Sequence, residues 1–444
     1  MNIEEIKNNK TKMILQFAVP SIIAMLLTAS LTITDGFFIG NYVGKAGITA
    51  VNLGLPILYL FLGIGLMIGV GGSVIAVCEV GKGNNKKAGS IFTQTIITAL
   101  IVCIIMSIIT YVCMNPLLKL FGADGITKKY FLIYYIIMLF DYPIMTLGSC
   151  LGMFVRADGR PQFSMLVSII GTLLNAILDY VFVAKLGLGI KGIAIASLLV
   201  VLAQAVIQLL YFVKASNIFH YCRPEFDLNI FKQSIFNGSS EFIGEMAGCL
   251  SMFCYNYAIM RHIGQSGVAA FSILGYAVYA HNMIVIGFGQ GMCPLVGFTI
   301  GAGEKDTALK LRKSTNKMVF IIGIIVAAVM FLFGETYARC FINDKTIIDM
   351  IASGFRLFAV TFIITGFNVI GSMYFTSCKK AAPSAIISAL RGLLLLIPLI
   401  LIFTSLWGMT GVWLAAPVTE IITAIVTVYL IIADNCAGKS IVTA

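Results

Sequence analysis

The chain has 444 residues, 59% of them apolar and only 11% charged, with a formal net charge of +11. A mean hydropathy of +0.99 leaves a water-soluble globule no way to hide its surface, so lipid must cover much of it. The short alternating segments of an outer-membrane barrel are absent. The basic residues form no patch interleaved with aromatics, which excludes nucleic acid as the partner and makes their placement a topological signal.

Met1 to Lys12 is polar and short, and the apolar run that follows is too long for the core of a cleaved signal peptide. A bilayer core of about 30 Å takes roughly 20 apolar residues per helix. Runs of that length recur near 13–40, 49–79, 88–114, 130–155, 162–183, 191–213, 233–260, 267–300, 314–338, 351–377, 384–405 and 411–433, which predicts twelve membrane spans. With the N-terminus in the cytoplasm, 19 of the 30 Lys and Arg fall in the tails and inner loops, 9 in the outer loops, and Arg356 and Arg391 within spans. The asymmetry predicts a multi-pass protein with both termini cytoplasmic.

The sequence matches itself without gaps at one fixed offset, from Gly47 to Ala88 against Gly267 to Ala308. Gly47/Gly267, Ala50/Ala270, Tyr59/Tyr279, Gly69/Gly289, Gly71/Gly291, Gly81/Gly301, Gly83/Gly303 and Ala88/Ala308 are identical. Five glycine pairs in so short a window mark an internal duplication. The fold class expected is therefore an all-α membrane protein of two six-helix bundles, residues 1–222 and 223–444, with parallel repeats flanking a central path. The polar segment from Lys214 to Lys232, with Arg223, Pro224, Glu225 and Asp227, is the expected joint.

A carboxylate within a span costs several kcal/mol unless it is paired or hydrated, so interior acids are functional candidates. On span one, Ser21, Thr28, Thr32 and Asp35 recur at helical spacing and make one polar stripe. On span five, Asn175 and Asp179 are four apart and share a face. Both helices run outward, which puts Asp35 and Asp179 about one turn from their outer ends. Ser197 on the returning span six lies at a similar depth. Two carboxylates, a carboxamide and a hydroxyl then meet in the outer half of the first bundle, a set of hard oxygens suited to a proton or a sodium ion, with Asp35, Asn175 and Asp179 as the sodium ligands. In the second half, Glu241 and Glu245 are four apart near the inner end of span seven, Glu420 is mid-span in twelve, and Arg391 is the one deep basic residue. With Thr28 and Thr32, these are candidates for lining the substrate cavity. Asp141 precedes Pro143 and has a second reading, satisfying backbone groups freed by a kink.

The glycines at 63, 65, 69, 71 and 72 lie in a lipid-length helix with no strand before them, so they read as close helix packing and not as a dinucleotide loop. Eleven scattered cysteines show no zinc spacing, and His220, His262 and His281 have none that points to a metal.

At "FAVPSIIAMLLTASLTITDGFFIGNYVG", "GITAVNLGLPI", "RADGRP", "LLNAILDYVFV", "IPLILIF" and "GMTGVWLAAPVTE", the chain resembles the multidrug and toxic compound extrusion (MATE) family, and within it the MepA-like bacterial branch. The resemblance covers essentially the whole chain. It implies two six-helix lobes in a V around a central cavity, in a bacterial inner membrane, exporting organic cations in exchange for protons or sodium. It also implies an ion site at Asp35, Asn175, Asp179 and Ser197, and an acid of span twelve at Glu420. Some members place an acid deep in span seven, whereas Glu245 here is expected nearer the inner end.

No Walker A loop, serine elbow, HExxH or GxGD motif is present, so an ion gradient is the expected drive and no catalysis is expected. No cofactor is expected beyond the coupling ion, and the protein is expected to work as a monomer. The closest alternative is a flippase or exporter of lipid-linked or polar metabolites. Its anionic substrates favour basic cavities, whereas these spans hold more acids than bases. A channel is a more distant alternative, since a duplication with acids buried in one bundle favours alternating access over a symmetric pore.

Overall fold

The computed structural model of the chain describes residues 2–120, 122, 125–222 and 226–440, with side chains to 435 except at position 120. The described residues are almost wholly helical. Ten stretches are long and apolar enough to cross a membrane: Lys10–Val43, Leu55–Gly81, Asn85–Val112, Gly125–Ala157, Pro161–Lys185, Gly189–Lys214, Gln265–Gly301, Lys305–Arg339, Lys345–Ser377 and Ala381–Asn435. The expected count of twelve is recovered for two physical reasons. The helix Leu228–His262 has the length of a span, 35 residues, but carries Asn237, Glu241, Glu245 and Asn256, which dilute its hydropathy. The last stretch is two helices, because Gly408 leaves helical geometry at φ 55 and ψ −131. On one straight helix Arg391 and Glu420 would lie roughly 43 Å apart at 1.5 Å per residue. Their side chains bond at 2.6 Å, so the chain reverses between them.

The duplication is written into the backbone. Gly44 and Gly264 have φ of 85° and 91°, and Gly83 and Gly303 both have 81°, each pair separated by the same offset as the sequence match. Gly159, at 89°, has Lys379 as its counterpart, which at φ 60 is the one non-glycine residue with positive φ among those described. A left-handed conformation costs a residue with a Cβ about 1–2 kcal/mol, and glycine in its place adds back roughly half of that through unfolded-chain entropy. Lys379→Gly is therefore expected to stabilise the protein by about 0.5–1 kcal/mol, seen as a higher Tm in detergent. An unchanged or lower Tm would show that the loop tolerates lysine without strain.

The two bundles meet through reciprocal glycine contacts. A Cβ on Gly81 would overlap the Phe298 carbonyl oxygen, and one on Gly301, its counterpart in the second repeat, would overlap the Cys78 carbonyl. Span one crosses span eight where Gly287 and Gly291 admit Ile22 and Ala18, and span seven crosses span two where Gly71 and Gly238 admit Ser234 and Met67. Without side chains at these points the backbones come together, which is how helices associate in lipid. All these contacts lie toward the end that carries the N-terminus. There the short helix Ile3–Asn8 buries Ile6, and Lys7 reaches Glu304 at 2.6 Å. Lys380 pairs with Asp434 at the same end, so both ends of the described chain share one side.

The linker stays with the first bundle. The Asp158 carboxylate of "RADGRP" accepts from the Tyr211 hydroxyl and from the backbone N–H of Asn217 and Ile218, at 3.2 and 2.9 Å for the latter two. The Gln94 carboxamide holds the Asp227 backbone through both its ends. Arg223, Pro224 and Glu225, at the expected lobe boundary, lie outside the described residues.

Candidate functional site

Each bundle holds a cluster of interior side chains built around a carboxylate, at Asp35 and Asp179 in the first and at Glu420 in the second. In the first, Asp35 on span one and Asp179 on span five face each other within side-chain hydrogen-bonding range, and the Asn175 carboxamide is beside Asp35. Asn175 and Asp179 are one turn apart and buried at 2% and 0% exposure, which is what their four-residue spacing requires. Ionised carboxylates are acceptors only. Accordingly neither oxygen of Asp179, nor Oδ1 of Asp35 or of Asn175, has a hydrogen-bond donor among the described residues. No Lys, Arg or His among the described residues pairs with either acid. Two facing carboxylates need a proton or a cation between them.

Two groups from span four join them. Asp141 is 1% exposed with an unpartnered Oδ1 and interacts electrostatically with Asp35. Tyr134 lies within electrostatic reach of Asp35, Asp141 and Asp179. Composition offers no signal for Tyr134, one of 17 tyrosines. Its periodicity does, because Tyr134 and Asp141 are seven apart and so fall on one helix face. The Ser197 hydroxyl is buried and unpartnered, and makes no hydrogen bond to the carboxylates.

Both acids lie deeper than one turn from their helix ends. Each helix continues past its acid in a wider π-helical turn, Ile39–Val43 after Asp35 and Tyr180–Lys185 after Asp179. That puts about two turns of chain beyond Asp35 and about one and a half beyond Asp179. Such turns release regular i to i−4 bonding and recur at functional positions. Elsewhere on the polar stripe, Ser21 and Thr28 donate to their own helix at the Phe17 and Ala24 carbonyls, at 2.9 and 3.0 Å, and Thr32 is exposed. Only Asp35 of the four reaches span five.

In the second bundle Glu420 is held by three donors. Its Oε1 accepts from Arg391 Nε at 2.6 Å and Thr365 Oγ1 at 3.0 Å, and its Oε2 from Asn368 Nδ2 at 2.7 Å. Thr427 donates to Asn368 Oδ1 at 3.1 Å and so orients the carboxamide. Arg391 sits in a third π-helical turn, Leu390–Leu394. The long stretch of chain and the reversal between Arg391 and Glu420 explain why spacing gives no hint of the pair.

Glu245 is at the midpoint of Leu228–His262, and not near its inner end as expected, because that helix begins before the apolar run does. It is packed against Gly63 of span two and lies within electrostatic reach of Glu241 and of Tyr59 and Tyr279, the duplicated tyrosines of spans two and eight. Both glutamates thus sit where the bundles adjoin, so that one acid faces tyrosines from each half.

A duplicated twelve-span helical bundle, closed at one end and with uncompensated acids inside one half, has the build of a secondary membrane transporter. The MatE family model matches residues 20–181 and 243–402, and the chain belongs to that family. The curated multidrug export protein MepA of Staphylococcus saprophyticus is 24% identical over 436 residues, covering 96% of this chain and 94% of its own. MepA of Staphylococcus aureus is 23% identical over 427 residues, with 95% and 93% covered. Among solved structures, MATE in complex with MaL6 superposes with a TM-score of 0.91 at 22% identity, covering 97% of both chains. An outward-facing multidrug resistance MATE transporter superposes at 0.88 with 21% identity, covering 94% of both. The expected family and the two-bundle membrane fold are thereby established.

Proposed function

We propose that this chain is a secondary active multidrug exporter that moves organic cations out of a bacterial cell in exchange for protons or sodium, by alternating access between its two bundles. The single observation that carries the reading is the facing pair Asp35 and Asp179 with Asn175 alongside, Asp179 and Asn175 buried and Asp35 half-buried, and neither acid with a basic partner among the described residues. Such a pair is stable when a proton or a sodium ion lies between the carboxylates. It gains free energy on loading and loses it on release, so the ion's presence biases the bundle between two arrangements. Ser197, Asp141 and Tyr134 are the remaining groups near this level. Organic cations are accommodated where Glu241, Glu245, Tyr59 and Tyr279 border the cleft, since acids and aromatic faces both attract a cation. The MepA names of the relatives support the drug-export part of the reading.

The lobes divide at residues 222 and 223, both termini lie in the cytoplasm, and the glycine contacts close the cytoplasmic end. One chain suffices, because the ion cluster is assembled from spans one, four and five of a single bundle. The test is efflux from proteoliposomes with imposed pH or sodium gradients, using a fluorescent organic cation beside neutral and anionic compounds. Cation movement that follows one of the gradients is expected. Movement that persists with both gradients dissipated, or that favours anions, would overturn the proposal.

A further inference from the structure

The internal repeat builds two seams of the same design, and one of them is left open. At the end that carries the N-terminus, Gly71 of span two admits Ser234 of span seven, and its counterpart Gly291 of span eight admits Ala18 of span one. Phe231 and Leu15, each three residues earlier on the entering helix, are therefore equivalent. Across from them stand Gln94 of span three and Ser314 of span nine, separated by the same offset as Gly71 and Gly291. In the first seam the Gln94 carboxamide ties span three to the Asp227 backbone, and the space it shares with Phe231 and Ser234 is about 10 Å³. In the second seam serine is too short for that bridge. An open cleft of about 1110 Å³ results, and its lining includes Asn9, Lys10, Thr11, Lys12, Leu15 and Ser314. The ion pair of Lys7 with Glu304 at 2.6 Å fastens the starts of spans one and nine beside one another.

The cleft is basic, and its cations are largely unspent. Lys310 and Lys317 come four residues before and three after Ser314, so they share its helix face, and both are exposed. Neither they nor Lys12 form an ion pair among the described residues. Lys10 commits one of its three donors, to the Lys7 carbonyl. Glu5 also lines the cleft, one acid among these cations. Lys12 and Lys317 are each the last basic residue before an apolar run, the level at which a lysine stem lies along apolar surface and its ammonium reaches the headgroups. Past them both walls turn apolar. Leu15 and Val19, one turn apart on span one, are 40% and 46% exposed, and Ile321, two turns past Ser314 on span nine, is 46% exposed.

We propose that this cleft between spans one and nine is a headgroup site for an anionic phospholipid of the leaflet at the end that carries the N-terminus. Lys10, Lys12 and Lys317 offset the charge of the phosphate, the hydroxyls of Thr11 and Ser314 donate to its oxygens, and the acyl chains lie along Leu15, Val19 and Ile321. Charge alone would accept free phosphate, but the apolar walls beyond the lysines suit a lipid. Span one belongs to the first bundle and span nine to the second, so the lipid bridges the two bundles at the end where their backbones touch.

Native mass spectrometry of the purified full chain in detergent, with dioleoylphosphatidylglycerol and dioleoylphosphatidylcholine at equal concentration, tests this without any transport. Phosphatidylcholine has the same phosphate but balances it with its own choline. The expected result is one phosphatidylglycerol retained in about tenfold excess over phosphatidylcholine, the order that two lysines supply at a membrane surface. Lys12→Gln with Lys317→Gln removes that preference. Lys128→Gln with Lys129→Gln, the same loss of charge at the far end of span four, keeps it. Ser314→Gln, which introduces the residue that closes the first seam, removes it with every lysine in place. No preference in the wild type overturns the proposal. An equal fall in both lysine pairs, which marks diffuse attraction to a basic protein, also overturns it, as does a preference untouched by Ser314→Gln. Displacement of the lipid by inorganic phosphate assigns the cleft to a free anion and overturns it too.

Discussion

Asp35→Asn and Asp179→Asn are each expected to reduce ion-coupled efflux by about 10-fold to 100-fold, the range set by coupling free energies of roughly 1–3 kcal/mol, with folding and membrane insertion intact. Each substitution keeps the shape and removes the charge that makes the site respond to an ion. In the Asp35→Asn protein the amide can donate to Asp179, whose two oxygens have no donor among the described residues. The pair is then satisfied permanently by a hydrogen bond that no gradient can load or discharge. The variant is accordingly expected to be at least as stable as the wild type, since an unsatisfied buried acceptor gains a partner. Efflux and Tm in detergent, measured on the same preparation, check both parts. Full efflux by both variants would remove this pair from the mechanism, and a lower Tm would show that the carboxylates are held by contacts an amide cannot make. Glu420→Gln serves as a contrast. Glu420 already has three donors including a guanidinium, so neutralising it leaves Arg391 without its counter-charge, and loss of stability is expected instead.

Much of the architecture is legible in the sequence because lipid forces regularity. Every backbone group in a span must bond within its own helix, so hydropathy marks span positions to within a few residues. Of the glycine pairs that mark the duplication, Gly71/Gly291 and Gly81/Gly301 sit where backbones touch, and Gly83/Gly303 sit where φ is positive. The π-helical turns after Asp35 and Asp179 and around Arg391 are not legible, since widening one turn leaves the apolar pattern unchanged. The first-bundle cluster is half legible. The four-residue spacing of Asn175 and Asp179 places them on one face, and the polar stripe aims Asp35 inward, but the contribution of span four depends on how it packs. The stripe also promises more than it delivers, because a hydroxyl in a helix can satisfy itself on its own backbone, as Ser21 and Thr28 do. The Arg391 and Glu420 pair is not legible: the break between spans eleven and twelve is, and Gly408 falls in it, but no spacing in the sequence singles out Glu420 as the partner of Arg391.

Gly81→Val and Gly301→Val are expected to abolish transport by keeping apart the end of the molecule at which the bundles touch. A Cβ at either position would occupy the space of a backbone carbonyl of the other bundle, Phe298 in one case and Cys78 in the other. Backbone cannot rotate away as a side chain can, so the helices must separate, and the closed arrangement of this end is lost. Alternating access needs both ends to close in turn, so one unclosable end is enough to stop net movement. The two contacts are counterparts under the internal repeat, and the two variants should therefore fail to the same degree. Single cysteines placed at Ala18 and Ser234, which face Gly291 and Gly71 across the same seam, should become more reactive to a water-soluble maleimide in both variants. Gly275→Val, at a position where a Cβ meets nothing within 4 Å, should retain efflux and leave the cysteines protected. Retained transport in the Gly81 and Gly301 variants with unchanged labelling would mean that this seam yields without opening, and that the moving contact between the bundles lies elsewhere.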